Sequence, residues 1–160
     1  MIETLFCLAL NIYFEARDQE PIGQIAVAQV VLNRVESEDY PDEPCAVVKE
    51  GPTYSWAPEF PVRHRCQYSW YCDGLSDDPK NRQAWGLAVI NAVVAKYTPD
   101  VTGGATHYHA FYVSPSWADQ LELTAEIGDH RFYRKDPEAI GLVLEYPAEP
   151  SPPQYLTIQE

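Results

Sequence analysis

The chain has 160 residues, a length that predicts a single domain with a core large enough to need no cross-links. Its formal charge of −13 argues against nucleic-acid binding, because phosphates are held by clustered Lys and Arg, and against docking on anionic membranes. The sequence lacks the long uninterrupted apolar run of a transmembrane helix, so none is expected.

The first part of the chain has the spacing of amphipathic helices. Apolar side chains recur at helical intervals over Glu3 to Arg17 and again over Pro21 to Val35, which predicts two helices. Pro21 suits the first turn of the second helix, and the short loop between the helices makes them neighbours. A short third helix is predicted over Pro44 to Lys49.

The middle of the chain has a different character. Residues Gly51 to Asp78 are rich in Pro, Trp, Tyr and Cys without a clear period, which predicts an ordered loop region. A long helix is predicted to follow, with Ser76 or Asp77 as its N-cap and Pro79 in its first turn. That helix should end before Pro99.

The pattern then changes to the alternation of strands. A strand is predicted over His107 to Val113, and two short strands about a Gly-Asp turn within Leu121 to Arg134. The fold class is therefore α+β, with a helical N-terminal half and a small antiparallel sheet. We expect one domain over residues 1–145 and a Pro-rich C-terminal tail over 146–160.

The four cysteines, Cys7, Cys45, Cys66 and Cys72, permit two disulfides in three connectivities. Cys66 and Cys72 are six residues apart and could close a small loop. The absence of a C-x-x-C pair disfavours a four-cysteine zinc site. No flanking residue favours a cysteine nucleophile, so disulfides or buried thiols are expected.

Glu15 is an acidic residue among apolar and aromatic neighbours near the end of the first predicted helix. If it is buried, desolvation favours its acid form and raises its pKa, which is what a general acid needs. On the solvated helix edge it would instead be an ordinary carboxylate, paired with Arg17 or Arg34. Helical spacing alone leaves both interpretations open and favours the surface one.

His107 and His109 are two residues apart on a predicted strand and so share a face. With His64 or His130 they could form a three-histidine zinc site with an open position. The alternative is a pair of hydrogen-bonded sheet histidines beside aromatic rings.

The segment "CQYSWYCDG", Cys66 to Gly74, is dense in aromatic rings and side-chain donors. Such groups can bind sugar hydroxyls and stack on sugar rings, but they can equally form an aromatic mini-core. Alternation along the segment predicts that half of its side chains point inward and half outward. The donors are Gln67, Ser69 and Asp73, and the rings are Tyr68, Trp70 and Tyr71.

Four motifs follow one another over about residues 5–134: "YFEARDQEPIGQIAVAQVVLNRV", "CQYSWYCDG", "TGGATHYHA" and "IGDHRFY". Together they resemble the SleB-type cell wall hydrolase family, which is named for spore-cortex lytic enzymes and is found in bacteria and phages. The residue that usually follows "E-A-R" in this family is Gly. Here it is Asp18, so the loop after Glu15 departs from the family's pattern.

The resemblance implies a lysozyme-like, lytic-transglycosylase-related fold, with residues 1–145 as one catalytic domain acting on peptidoglycan glycan strands. The family's catalytic acid is the Glu of "Y-x-E-A-R", which falls on Glu15. The resemblance further implies that no metal or other cofactor is needed, and that the four cysteines are structural. For substrate binding we expect the side-chain donors and rings Gln67, Ser69, Trp70, Asp73, Tyr108 and His109.

The bond implied is the β-1,4 linkage between N-acetylmuramic acid (MurNAc) and N-acetylglucosamine (GlcNAc). No second acid is as suggestively placed as Glu15, Asp73 being the nearest candidate, which favours a lytic transglycosylase over a hydrolase. The alternatives are a muramidase cutting the same bond, a zinc-dependent N-acetylmuramoyl-L-alanine amidase using His107 and His109, and a non-catalytic peptidoglycan-binding module.

No export signal is visible at the N-terminus, which lacks a basic region and a small-residue cleavage site. We expect a protein made in the cytoplasm that acts in the periplasm or cell wall. It would reach the wall by holin-dependent release, as a phage endolysin does, or as a trimmed secreted protein. We expect a monomer whose partner is the peptidoglycan glycan strand, and neither nucleic acid nor a membrane.

Overall fold

A computed structural model describes residues 2–135 of the chain. The predicted α+β class is confirmed, with helices first and a small antiparallel sheet second. The predicted tail over 146–160, and the end of the predicted domain over 1–145, lie outside the described residues. The helices are α1 (Ile2–Ala16), α2 (Pro21–Val35), α3 (Pro44–Val48) and α4 (Arg82–Tyr97), and the strands are β1 (Thr53–Tyr54), β2 (Ala57–Pro61), β3 (His107–Ala110), β4 (Glu122–Ile127) and β5 (His130–Arg134).

Helices α1, α2 and α4 pack on one another, and α3 packs against α1 and α2. Helix α1 is buried almost all round its middle, from Cys7 to Tyr13. Helix α4 turns its small residues Ala88, Ala92 and Ala95 inward, and short side chains at a helix contact let the axes approach closely. Within residues 2–135, no helix is long and apolar enough to cross a membrane.

The three-stranded sheet has the order β3-β5-β4, with both pairs antiparallel. Its anchor is Phe132 of β5, which is fully buried with Ala26 and Val30 of α2 and with Ala105. Phe132 pairs with Tyr108 of β3, and side chains of paired residues lie on the same face of a sheet. The ring of Tyr108 therefore faces the helices.

Helix α4 begins later than the sequence predicts. Its N-cap is Asn81, whose Oδ1 accepts a hydrogen bond at 3.0 Å from the N–H three residues on. The predicted caps Ser76 and Asp77 and the predicted first-turn Pro79 all lie in the segment before the helix. The reason is tertiary: the Tyr13 hydroxyl of α1 accepts from the N–H groups of residues 80 and 81, each at 3.0 Å, and so holds the chain outside the helix.

Two further differences concern strands. Strand β3 ends at Ala110 rather than at Val113, because the Val113 N–H turns back to donate to the Ala110 carbonyl at 2.9 Å. The middle region, predicted as loop, contains the short β1–β2 hairpin, which is closed by a 2.8 Å hydrogen bond from the Val62 N–H to the Pro52 carbonyl. A two-residue strand is too short to produce a visible alternation in sequence.

Two disulfides form, as the cysteine count allowed. Cys7–Cys45 links α1 to α3, and Cys66–Cys72 closes the small loop that carries a 3₁₀ turn over Ser69–Cys72. The first spans 38 residues of sequence and the second only 6. The first disulfide therefore joins two helices that are distant in sequence, whereas the second constrains a local loop.

The two disulfides should contribute unequally to stability. Replacing Cys7 and Cys45 together by Ser should lower the free energy of unfolding by about 4 kcal/mol, because a long loop is released in the unfolded chain. Replacing Cys66 and Cys72 should lower it by only about 2 kcal/mol, because that loop is short. Urea unfolding followed by circular dichroism measures both. Equal losses, or a larger loss for the short loop, would contradict this expectation.

Candidate active site

Glu15 lies in the last turn of α1, with its carboxylate directed at strand β3. The Tyr108 hydroxyl donates a hydrogen bond to Glu15 Oε2 at 3.0 Å, and the Glu15 side chain is partly buried. Burial raises the pKa of Glu15, because desolvation disfavours the charged form, while the Tyr108 hydrogen bond and the Arg34 charge act in the opposite direction. Glu15 is thus a partly buried carboxyl rather than a solvated residue on the helix edge.

Tyr108 belongs to the inner, helix-facing side of the sheet. Its ring lies 5.7 Å from that of Phe132 and 5.3 Å from that of His130, centroid to centroid. Burial, and then the nearby Glu15 charge, raise the pKa of Tyr108 well above its ordinary value. The hydroxyl therefore keeps its proton and remains a hydrogen-bond donor to Glu15.

Arg34 is a buried cation on α2, only 3% exposed. Its Nε donates to the Thr106 carbonyl at 2.7 Å, and its Nη1 donates to the Tyr68 hydroxyl at 3.4 Å. The guanidinium lies over the ring of Tyr40 at 5.1 Å and over that of Tyr68 at 5.4 Å. One side chain thus joins α2, the start of the sheet and the Cys66–Cys72 loop.

The Cys66–Cys72 loop brings Gln67 and Tyr68 to Arg34. With its amide oxygen turned toward the guanidinium, Gln67 accepts hydrogen bonds from Nη2 at 3.1 Å and from Nη1 at 3.3 Å. Burial is the main cause that raises the pKa of Tyr68 to about 12, and the Glu15 charge acts in the same direction. Tyr68 is therefore a neutral hydroxyl close to both Arg34 and Glu15.

Trp70 was expected to offer a ring to the substrate, and the structure buries it. Its side chain is 7% exposed, its indole N–H donates to Asn11 Oδ1 at 3.1 Å, and its ring stacks on Phe14 at 4.8 Å. Trp70 therefore fixes the disulfide loop on α1. The predicted alternation is confirmed, since Tyr68, Trp70 and Cys72 are buried whereas Gln67 and Ser69 are exposed.

Asp73 lies at the end of the same loop, where it shapes a turn. Its Oδ1 accepts a hydrogen bond from the Leu75 N–H at 2.7 Å, and its carbonyl accepts one from Arg63 Nε at 3.1 Å. The carboxylate predicted as the nearest second acid is therefore engaged with its own turn.

The sheet histidines divide between the two faces. His109 stacks on Tyr133 at 5.2 Å, with its Nε2 3.0 Å from the Tyr133 hydroxyl, and His107 lies 5.2 Å from Trp117. These two share the outer face, as predicted, whereas His130 lies on the inner face beside the tyrosine that binds Glu15. In residues 2–135, no three His, Cys, Asp or Glu side chains are grouped so as to hold a metal ion.

The loop after Glu15 is fastened to the β4–β5 turn. Gln19 Oε1 accepts from the Asp129 N–H at 3.1 Å, and Gln19 Nε2 donates to Asp129 Oδ2 at 3.2 Å. Gly128 has a φ of +57°, and a Cβ there would come within 2.6 Å of Gln19 Oε1. Asp18, which replaces the family's usual Gly, is exposed next to this contact. The conformation of the loop is therefore held by Gln19.

Arg34, expected from the sequence only as a surface ion-pair partner of Glu15, instead lies buried at the centre of the site. A signal was available, because Val27, Val30, Val31 and Arg34 follow the helical spacing of one face, and all four are buried. A charge on an otherwise apolar stripe indicates a buried cation that needs partners.

Most of the chain matches the model of a known protein family. The family model described as Cell Wall Hydrolase matches residues 18–133. The spore cortex-lytic enzyme of Halalkalibacterium halodurans is 28% identical over 126 residues, which is 78% of this chain and 33% of that enzyme. The chain thus spans about a third of the length of this curated relative.

Two solved structures share the fold. The catalytic domain of the Bacillus cereus SleB protein superposes with a TM-score of 0.60 at 24% identity, covering 84% of this chain and 91% of that domain. The catalytic domain of the germination-specific lytic transglycosylase SleB from Bacillus anthracis gives 0.59 at 23% identity, covering 82% and 93%. The predicted lysozyme-like, transglycosylase-type fold is confirmed by these two matches.

The family match begins at Asp18, three positions after Glu15, so it does not itself assign the carboxyl. The role of Glu15 therefore depends on the geometry around it, that is, on burial, Tyr108 and Arg34. Because the family model matches well over half of its residues, the chain belongs to the cell wall hydrolase family.

Proposed function

We propose that this enzyme cleaves the β-1,4 bond between MurNAc and GlcNAc in peptidoglycan, as a lytic transglycosylase in which Glu15 is both acid and base. The observation that carries the proposal is the partly buried Glu15 carboxyl, whose pKa is raised by burial and which is oriented by Tyr108. The names of the relatives support the substrate class. The two disulfides support action in the periplasm or cell wall, where such bonds persist.

The first step needs a carboxyl that still carries its proton near neutral pH. Glu15 gives that proton to the glycosidic oxygen as the bond from this oxygen to C1 of MurNAc breaks. Positive charge of the oxocarbenium type develops at C1 and the ring oxygen. Burial prepares Glu15 for this step, because it favours the protonated form.

The second step uses the same residue as a base. The C6 hydroxyl of MurNAc attacks C1 while the Glu15 carboxylate takes up the hydroxyl proton. A 1,6-anhydro ring forms, and Glu15 returns to its acid form with no water consumed. The route needs one carboxyl only, and the engagement of Asp73 with the Leu75 N–H supports it over a hydrolysis that would need a second carboxylate.

The residues proposed to position the glycan lie on the Cys66–Cys72 loop. Gln67 and Ser69 are exposed there, and Gln67 lies next to Arg34. Tyr108 acts by orienting Glu15. We assign His109 to the outer face of the sheet with Tyr133, and Trp70 to the core beneath the loop.

Glu15→Gln should abolish most of the lysis of purified peptidoglycan. The amide keeps the size of the side chain and can still accept from Tyr108, but it has no proton to give. We expect the rate to fall by about 10²–10⁴-fold, the range for loss of a general acid, while the fold is retained. Turbidity loss measures the rate, and circular dichroism checks the fold.

The matched control is Glu20→Gln, because Glu20 is exposed at the start of α2 and its side chain makes no capping hydrogen bond. That variant should lyse the wall at the wild-type rate. If Glu15→Gln also lyses at the wild-type rate, the acid is another residue and the proposed function fails.

The chemistry of the product separates transfer from hydrolysis. Digested glycan should carry 1,6-anhydro-MurNAc ends, which are lighter by one water than reducing ends, because the C6 hydroxyl is the attacking group. Mass spectrometry after digestion in oxygen-18 water measures this directly. The anhydro ends should contain no heavy oxygen, whereas reducing ends labelled with oxygen-18 would identify a muramidase.

A further inference from the structure

Arg34 places a full positive charge in the core of an acidic protein. It is 3% exposed, and within residues 2–135 no carboxylate is in ion-pair contact with it. A buried cation without an ion-pair partner is costly, since it loses its hydration. Packing alone does not explain why a charged side chain occupies this buried position.

The groups that touch Arg34 orient the guanidinium but carry no negative charge. They are the Thr106 carbonyl, the Tyr68 hydroxyl, the Gln67 amide oxygen, and the ring faces of Tyr40 and Tyr68. Because they come from three parts of the chain, the guanidinium has little freedom to move. Its charge is therefore fixed in place and not neutralised.

Glu15 is the carboxyl that feels this charge. The groups that face Glu15 are Tyr108 from β3, Tyr68 from the disulfide loop and Arg34 from α2. Both tyrosines have raised pKa values and are neutral near pH 7, so Arg34 is the charged group among the three. Burial favours the Glu15 acid, and Arg34 favours the Glu15 carboxylate.

We propose that Arg34 is a positioning residue of the reaction, whose fixed buried charge stabilises the Glu15 carboxylate left after the proton has gone to the leaving oxygen. This inference rests on the proposed function, which requires Glu15 to be an acid in one step and a base in the next. Because Arg34 is only 3% exposed, its charge acts on the reaction through Glu15 rather than by direct contact with the glycan.

The test varies the charge at position 34 and follows activity against pH. Activity falls as pH rises through the pKa of Glu15, because the acid form is lost. Loss of the Arg34 charge raises the pKa of Glu15, so in Arg34→Gln this fall at high pH, the basic limb of the pH–activity profile, should move to higher pH. The expected shift is about one unit, the lower end of the effect of a nearby opposite charge. It should lower kcat by about tenfold, the equivalent of one unit. Arg34→Lys keeps the charge, so its limb should stay near that of the wild type.

A control and a second variant separate charge from packing. Arg131→Gln removes an exposed guanidinium paired with Glu126 and should leave the limb unchanged. Arg34→citrulline, made by semisynthesis, keeps the shape and most donors of arginine but not its charge. It tests the inference if Arg34→Gln does not fold, and it should shift the limb by the same amount. Loss of activity with an unshifted limb in both neutral variants would make Arg34 purely structural and overturn the inference.

A measurement without substrate distinguishes this inference from the proposed function. Carbon-13 NMR of the Glu15 carboxyl should show a higher titration midpoint in Arg34→citrulline than in the wild type. An unchanged midpoint overturns the role of Arg34, even where Glu15→Gln abolishes lysis. A raised midpoint in a protein that releases no glycan fragments supports the electrostatic link while the proposed function fails.

Discussion

The hydrogen bond from the Tyr108 hydroxyl to Glu15 joins the helical half of the molecule to the sheet at the candidate catalytic carboxyl. Glu15 lies in the last turn of the first helix, and Tyr108 lies in the first strand of the three-stranded sheet, 93 residues later. The contact requires Phe132 to seat the sheet on α2, because Phe132 and Tyr108 are paired on one face. The position of the carboxyl is therefore a property of the whole fold.

The site balances two opposing effects on one carboxyl. Desolvation raises the pKa of Glu15 and is the largest effect, while Tyr108 and Arg34 lower it. In the proposed reaction both directions are needed, since the residue must hold a proton before bond cleavage and release it during cleavage. A solvated carboxylate would satisfy only the second requirement, and a fully apolar pocket only the first.

Periodicity was enough to predict α1 and α2 to within a residue or two, because their apolar spacing is regular and each is ended by its own loop. It was not enough where distant parts of the chain decide the outcome. The start of α4 at Asn81 depends on the Tyr13 hydroxyl, and the place of Arg34 depends on Thr106, 72 residues away. The family's motif predicted the role of Glu15, but its burial and partners required the fold.

The most direct test of the account is a crystal structure of the Glu15→Gln variant with a bound glycan of alternating GlcNAc and MurNAc. We predict that the glycosidic oxygen following C1 of MurNAc lies within about 3 Å of the side chain at position 15, as proton transfer requires. The C6 hydroxyl of the same MurNAc should lie on the path to C1. A glycan whose glycosidic oxygens are all out of hydrogen-bonding reach of position 15 would contradict the account.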